Sequence, residues 1–158
     1  MSKGCFLNPH IDNSHNREMT KFRRFNLLYY VNKKFLDLDG GELILYPDGI
    51  KNSPIEIPCV FNRLVIMRTD NKSLHGVNKV TATENRRKCI SNYYFSESSP
   101  LGKEYYHSTS FRGFGNEFIK DLYLQSNGIL RSFVKKVIKT VSGESISTGY
   151  HKGGKKEN

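Results

Sequence analysis

A chain of 158 residues with 37% hydrophobic content suits one globular domain around a single core. No apolar run approaches the ~20 residues of a membrane-spanning helix, and the opening Met1-Ser2-Lys3-Gly4-Cys5 lacks the apolar stretch of a signal peptide. The cysteines, Cys5, Cys59 and Cys89, are odd in number, scattered and without a C-x-x-C, which argues against a disulfide framework and for a reducing, cytoplasmic setting.

The net charge is +10, with a late concentration at Arg131, Lys135, Lys136, Lys139, Lys152, Lys155 and Lys156. Such charge can draw nucleic acid or anionic surfaces, but the plainer reading is a solvated helix face followed by a basic tail. In chain order, Cys5 to Asp12 is expected to form a strand that delivers His10 and Asp12, with Pro9 placing it at a sheet edge or strand terminus. Residues 13–22 are polar and aperiodic and are expected to form a loop able to cover those two residues. Arg24 to Asn32 is the clearest strand. Its odd positions, Phe25, Leu27, Tyr29 and Val31, predict a dry outer face; its even positions, Asn26, Leu28 and Tyr30, predict a functional inner one.

Asp37 to Gly41 is a turn signal, and Glu42 to Tyr46 is a strand stopped by Pro47-Asp48-Gly49. A short strand at Ile55 to Pro58 follows, then a turn at Asn62-Arg63, a buried strand at Leu64 to Met67 and a strand at Leu74 to Val80 bearing His75. Thr81 to Asn85 is a polar connection, and Arg87 to Phe95 closes the series. Short strands punctuated by turns predict an all-β sandwich or barrel. Past Ser96 come a loop and an aromatic, glycine-containing segment, Tyr105 to Gly115, in which His107 is expected to pack or cap, with substrate contact left open. Glu117 to Leu124 reads as helix, broken at Asn127-Gly128. A second helix should lay Leu130, Phe133, Val134, Val137, Ile138 and Val141 against the barrel. Residues 142–158 are expected to be a basic flexible tail.

Strand alternation puts His10 and Asp12 on one face. An imidazole beside a carboxylate supplies two-thirds of a 2-His-1-carboxylate site, the type used by non-haem Fe(II) oxygenases. His75 is the candidate for the third ligand, and His15, in the polar loop, is a weaker competitor.

Taken in order, these motifs form a linked set. They are the H-x-D strand, the strand ending Tyr29-Tyr30-Val31-Asn32, Gly40-Gly41-Glu42-Leu43, Asn62-Arg63-Leu64-Val65-Ile66-Met67, His75 and the basic strand after it. Together the set resembles the Fe(II)/2-oxoglutarate-dependent dioxygenases, specifically the prolyl 4-hydroxylase-like branch. The resemblance implies a mainly β, double-stranded β-helix (a jelly-roll or cupin-like barrel) with C-terminal helices. The domain would span residues 1–141, with its core match at 6–95 and a helical extension at 117–141, and the basic tail would occupy 142–158. It implies Fe(II) on His10, Asp12 and His75, with 2-oxoglutarate and O2 as cosubstrates and ascorbate as an optional reductant. Asp12 favours hydroxylation, because halogenating relatives lack that carboxylate.

The far carboxylate of 2-oxoglutarate needs a fixed cation. Family members place an Arg about a dozen residues after the distal His in an R-x-small pattern. Arg87-Lys88-Cys89-Ile90 matches it, so the resemblance assigns Arg87, with Cys89 in the small position and Tyr30 as a second partner; Asn26 and Tyr93 are pocket candidates. Relatives carry more chain before the H-x-D strand, so the chain is expected to lack an N-terminal part. The function implied is hydroxylation of a C–H bond in a peptidyl (prolyl-like) or small-molecule substrate, with release of succinate and CO2. The alternatives are a truncated, inactive barrel serving as a basic module that binds nucleic acid or protein, and, more weakly, oxidative nucleic-acid repair.

Overall fold

A computed structural model describes residues 1–32, 39–84, 86–103, 105–113 and 118–142. Its elements in order are β1 (Leu7–Ile11), β2 (Phe22–Tyr30), β3 (Leu43–Leu45), β4 (Ile55–Ile57), β5 (Leu64–Arg68), β6 (His75–Val77), β7 (Cys89–Ser96), β8 (Ser110–Phe111) and α1 (Phe118–Ser142). The strands form a five-stranded sheet, β4-β3-β6-β1-β8, and a three-stranded sheet, β5-β2-β7. All pairings are antiparallel. This is the mainly β architecture of a double-stranded β-helix. The centre is built on Tyr30, Cys59, Val80 and Ala82, with Met1, Val65 and Cys89 packed against them. As alternation predicts, β2 turns Asn26 and Tyr30 inward and leaves Phe25 and Tyr29 exposed.

Pro9 does not sit at an edge. β1 is flanked by β6 on one side and β8 on the other. The ladder tolerates a residue without an N–H because β1 bulges there: Leu7 lies opposite Val77 and His10 opposite His75, with a register shift between them. Gly76 lets the two strands close. A Cβ there would stand 2.9 Å from the Leu7 carbonyl oxygen and 3.3 Å from the Pro9 nitrogen.

Residues 13–21 form a loop, as expected, and it folds back on itself: His15 bridges to Phe22, and Asn16 Oδ1 accepts from the Thr20 and Lys21 amides at 2.9 Å each. This side-chain turn buries Ser14, His15 and Met19. Two further expectations need correction. The strand at Leu64 to Met67 is not buried. β5 is the outer strand of its sheet, and Ile66 is 61% exposed because alternation directs Leu64 and Ile66 away from the core. Finally, α1 runs unbroken through Asn127-Gly128. Gly128 is a contact rather than a stop, since a Cβ there would meet the Ser110 Oγ at 3.0 Å. The helix docks through this small-residue face: Ser132 Oγ accepts from the Ser108 amide at 2.8 Å. Leu130, Phe133, Val134 and Val137 are exposed instead of lying on the barrel. Residues 37 and 38 of the predicted turn, Asn85, the start of the first predicted helix at Glu117, and residues 143–158 of the tail lie outside the described residues.

Candidate metal centre

His10 and His75 face each other across the β1–β6 ladder, with ring centroids 4.3 Å apart. In both, Nδ1 lies 2.9 Å from the backbone carbonyl two residues earlier, Asn8 and Ser73 respectively. A carbonyl only accepts, so each Nδ1 carries a proton, and in the neutral form of each ring the lone pair is on Nε2. Those nitrogens point at Asp12: His10 Nε2 is 3.7 Å from Oδ1, and His75 Nε2 is 3.8 Å from Oδ2. The three ligand atoms lie within 4.8 Å of one another. Burial, then the neighbouring His75, lowers the pKa of His10 from 6.5 to about 4, so its imidazole is neutral and ready to ligate.

Asp12 is held from the opposite side. Arg23 Nη1 approaches its Oδ2 at 3.1 Å, and Asn26 Nδ2 lies 3.4 Å from the same oxygen. Arg23 also donates to Asn13 Oδ1 at 2.6 Å, and its guanidinium sits 4.0 Å from the centre of the Tyr93 ring. Two buried atoms here, Arg23 Nε and Asn26 Oδ1, have no protein partner.

A second polar cluster lies further along the inner face of β2. Arg87, in the extended lead into β7, is buried. Its Nη2 donates to Tyr30 Oη at 3.1 Å, and its Nε donates to the Gly41 carbonyl at 2.7 Å and faces Cys59 Sγ at 3.1 Å. None of the ion pairs among the described residues involves Arg87. Burial raises the pKa of Tyr30, which keeps its phenol protonated, and likewise holds the Cys59 and Cys89 thiols neutral. The Arg87 guanidinium is a buried cation whose Tyr30, Gly41 and Cys59 partners are neutral, and a carboxylate would complete it. Asn26, beside Asp12, and Tyr30, beside Arg87, lie about 13 Å apart along the strand.

The model of the 2OG-Fe(II) oxygenase superfamily matches residues 1–95. The chain belongs to this superfamily. Among solved structures, it is similar to a prolyl hydroxylase from Trichoplax adhaerens in complex with a hypoxia inducible factor oxygen degradation domain peptide fragment. The identity is 32%, over 61% of this chain and 40% of that one, with a TM-score of 0.48. Prolyl 4-hydroxylases from Phytophthora capsici match at 21% identity over 86% of this chain and 41% of theirs, with a TM-score of 0.45. The chain therefore spans about two-fifths of the length of these structures. No curated protein matches it.

Within this superfamily the residues present fit the implied groups. The 2-His-1-carboxylate donor set suits Fe(II), and the Arg87 fork, in no ion pair among the described residues, suits the far carboxylate of 2-oxoglutarate. The structure brings together His10, Asp12, His75 and Asn26 at one end and Tyr30 and Arg87 at the other. Cys89 packs on the core beside Tyr30, and its Sγ donates to the Ile90 carbonyl at 3.6 Å. Tyr93 lines the site through Arg23. His15 is not among the ligands; it is buried against Tyr106 and Ser14. His107 is bonded through its amide to Ser14 Oγ, feels the Asp12 charge, and is kept neutral chiefly by burial. Arg23, Asn13 and Cys59 were not singled out by sequence. Arg23 was hidden by parity: strict alternation puts it on the outer face with Phe25, but β2 bulges between the two and turns Arg23 inward.

Proposed function

We propose that this chain carries the iron and 2-oxoglutarate site of a hydroxylase acting on a C–H bond, with a peptidyl, prolyl-like side chain as the preferred substrate class and small molecules as the wider one. The observation that carries the reading is the pairing of two ends: three converged candidate ligands with both Nε2 atoms turned toward Asp12, and a buried Arg87 that has no carboxylate partner among the described residues. The peptide bound by the Trichoplax adhaerens neighbour supports a peptidyl substrate. The three free cysteines fit a reducing, cytoplasmic setting.

When bound, Fe(II) and 2-oxoglutarate supply the oxidative chemistry, with loss of CO2 and formation of succinate. The protein supplies position. His10, Asp12 and His75 hold the metal on one face. Arg87 and Tyr30 fix the far carboxylate and thereby the chelating end. The walls at Arg23, Tyr93 and Phe111, which stacks on His10, limit water at the metal. An inactive barrel would have no need of ligands aimed at one point.

The test is anaerobic titration of Fe(II) and then 2-oxoglutarate, read by the visible charge-transfer band of the chelate. The band is expected in the wild-type chain, absent in His75→Ala, and displaced to at least roughly tenfold higher 2-oxoglutarate in Arg87→Ala, the loss of a charged, buried hydrogen-bond partner. Release of succinate with a prolyl peptide would then define the substrate. Folded wild-type protein without the band would overturn the reading.

A further inference from the structure

The carboxylate of Asp12 has two oxygens in unequal surroundings. Oδ1 faces His10 Nε2 at 3.7 Å. Oδ2 is met by Arg23 Nη1 at 3.1 Å and Asn26 Nδ2 at 3.4 Å, as well as by His75 at 3.8 Å. Arg23 is itself immobilised. The bulge in β2 turns it inward, Asn13 Oδ1 accepts from Nη2 at 2.6 Å, and the rings of Tyr93 and Phe95 lie 4.0 and 5.8 Å from its guanidinium carbon. A buried guanidinium stacked on an aromatic face is a rigid donor.

We propose that Arg23 is a positioning residue that restricts Asp12 to one-oxygen coordination of the metal. By occupying Oδ2 it leaves Oδ1 as the ligand and prevents the carboxylate from closing on the metal with both oxygens. The inference rests on the metal-site reading above. Its consequence is a vacant coordination position. Three single-atom ligands on one face would leave three positions on a bound metal, two for a chelating cosubstrate and one for a diatomic molecule. A carboxylate bound through both oxygens takes that last position. Asn26 assists, but at 3.4 Å as a neutral amide it holds the oxygen weakly beside a charged donor at 3.1 Å.

The experiment uses nitric oxide as the diatomic probe on the anaerobic Fe(II)–2-oxoglutarate complex of the full chain, read by the electron paramagnetic resonance signal of the iron nitrosyl. In Arg23→Gln the 2-oxoglutarate charge-transfer band is expected to persist while nitric oxide affinity falls about tenfold, within the range that outer partners of metal ligands command. Arg23→Lys, which keeps a charge but not the planar fork, is expected to fall between the two and guards against misfolding of the glutamine variant. Unchanged nitric oxide affinity in folded Arg23→Gln and Arg23→Lys would overturn the clamp. So would loss of the band together with the nitrosyl, because Arg23 would then merely hold the site intact. A wild-type chain without a band would remove the metal site itself, which separates failure of that reading from failure of the clamp.

Discussion

His10 is placed so that its titration acts on stability as well as on ligation. Burial and His75 lower its pKa to about 4, against the opposing pull of Asp12, with Arg23 beyond the carboxylate. The unfolded chain keeps a value near 6.5 and so takes up its proton first as the pH falls. This contribution to stability is complete above pH 6.5, is lost progressively down to about pH 4, and changes no further below that. The melting temperature of metal-free protein should therefore fall between pH 7.5 and pH 5, and the fall should be smaller in His10→Gln, measured by circular dichroism. At this scale much of the site was legible. An H-x-D pair, a distal His and an R-x-small strand are local spacings, and the structure brings His10, Asp12 and His75 together and sets Arg87 against Tyr30. Arg23 was not legible, because a bulge reverses alternation and only the register with β7 reveals it. Cys59 was not, because its contact with Arg87 depends on how a turn far away in sequence folds back.

The β1–β6 pair is the element that sets the distance between the two imidazoles, and Gly76 sets how closely that pair can approach. An alanine Cβ would press on main-chain atoms of Leu7 and Pro9, which cannot rotate out of the way as a side chain can. Gly76→Ala should cost about 1–3 kcal/mol of stability in denaturant titration. It should also weaken binding of Mn(II), used as a redox-stable probe, because the strands part next to His75. Equal metal affinity in the variant would show that the strands absorb the methyl elsewhere. Elements with strong alternation, such as β2, were readable from sequence, and those whose residues answer to a neighbour were not. Asn127-Gly128 has the composition of a helix stop, yet the glycine is there so that Ser110 can lie against the helix. Leu64 to Met67 has the composition of a core strand, yet sits at the outside of its sheet.

Over the whole molecule, the outer face of the three-stranded sheet is apolar and open. Phe25, Leu64, Ile66, Ile90 and Tyr94 are all exposed, and β7 presents an unpaired edge among the described strands. Faces of this kind associate in water. Ile66→Lys with Ile90→Lys should raise the concentration at which the chain stays monodisperse by light scattering, without altering the 2-oxoglutarate titration, since both point away from the inner face. The two sheets also divide the work of the site. Of the candidate ligands, His10 lies on β1, Asp12 directly after it and His75 on β6 of the five-stranded sheet, whereas Tyr30 lies on β2 and Arg87 leads into β7 of the other. A metal ion alone would staple one sheet to itself. A diacid chelated to that metal and gripped by Arg87 would be a strut between the two layers, resisting their separation. Cosubstrate binding would then be part of what holds the barrel shut, and release of the shorter product would slacken it.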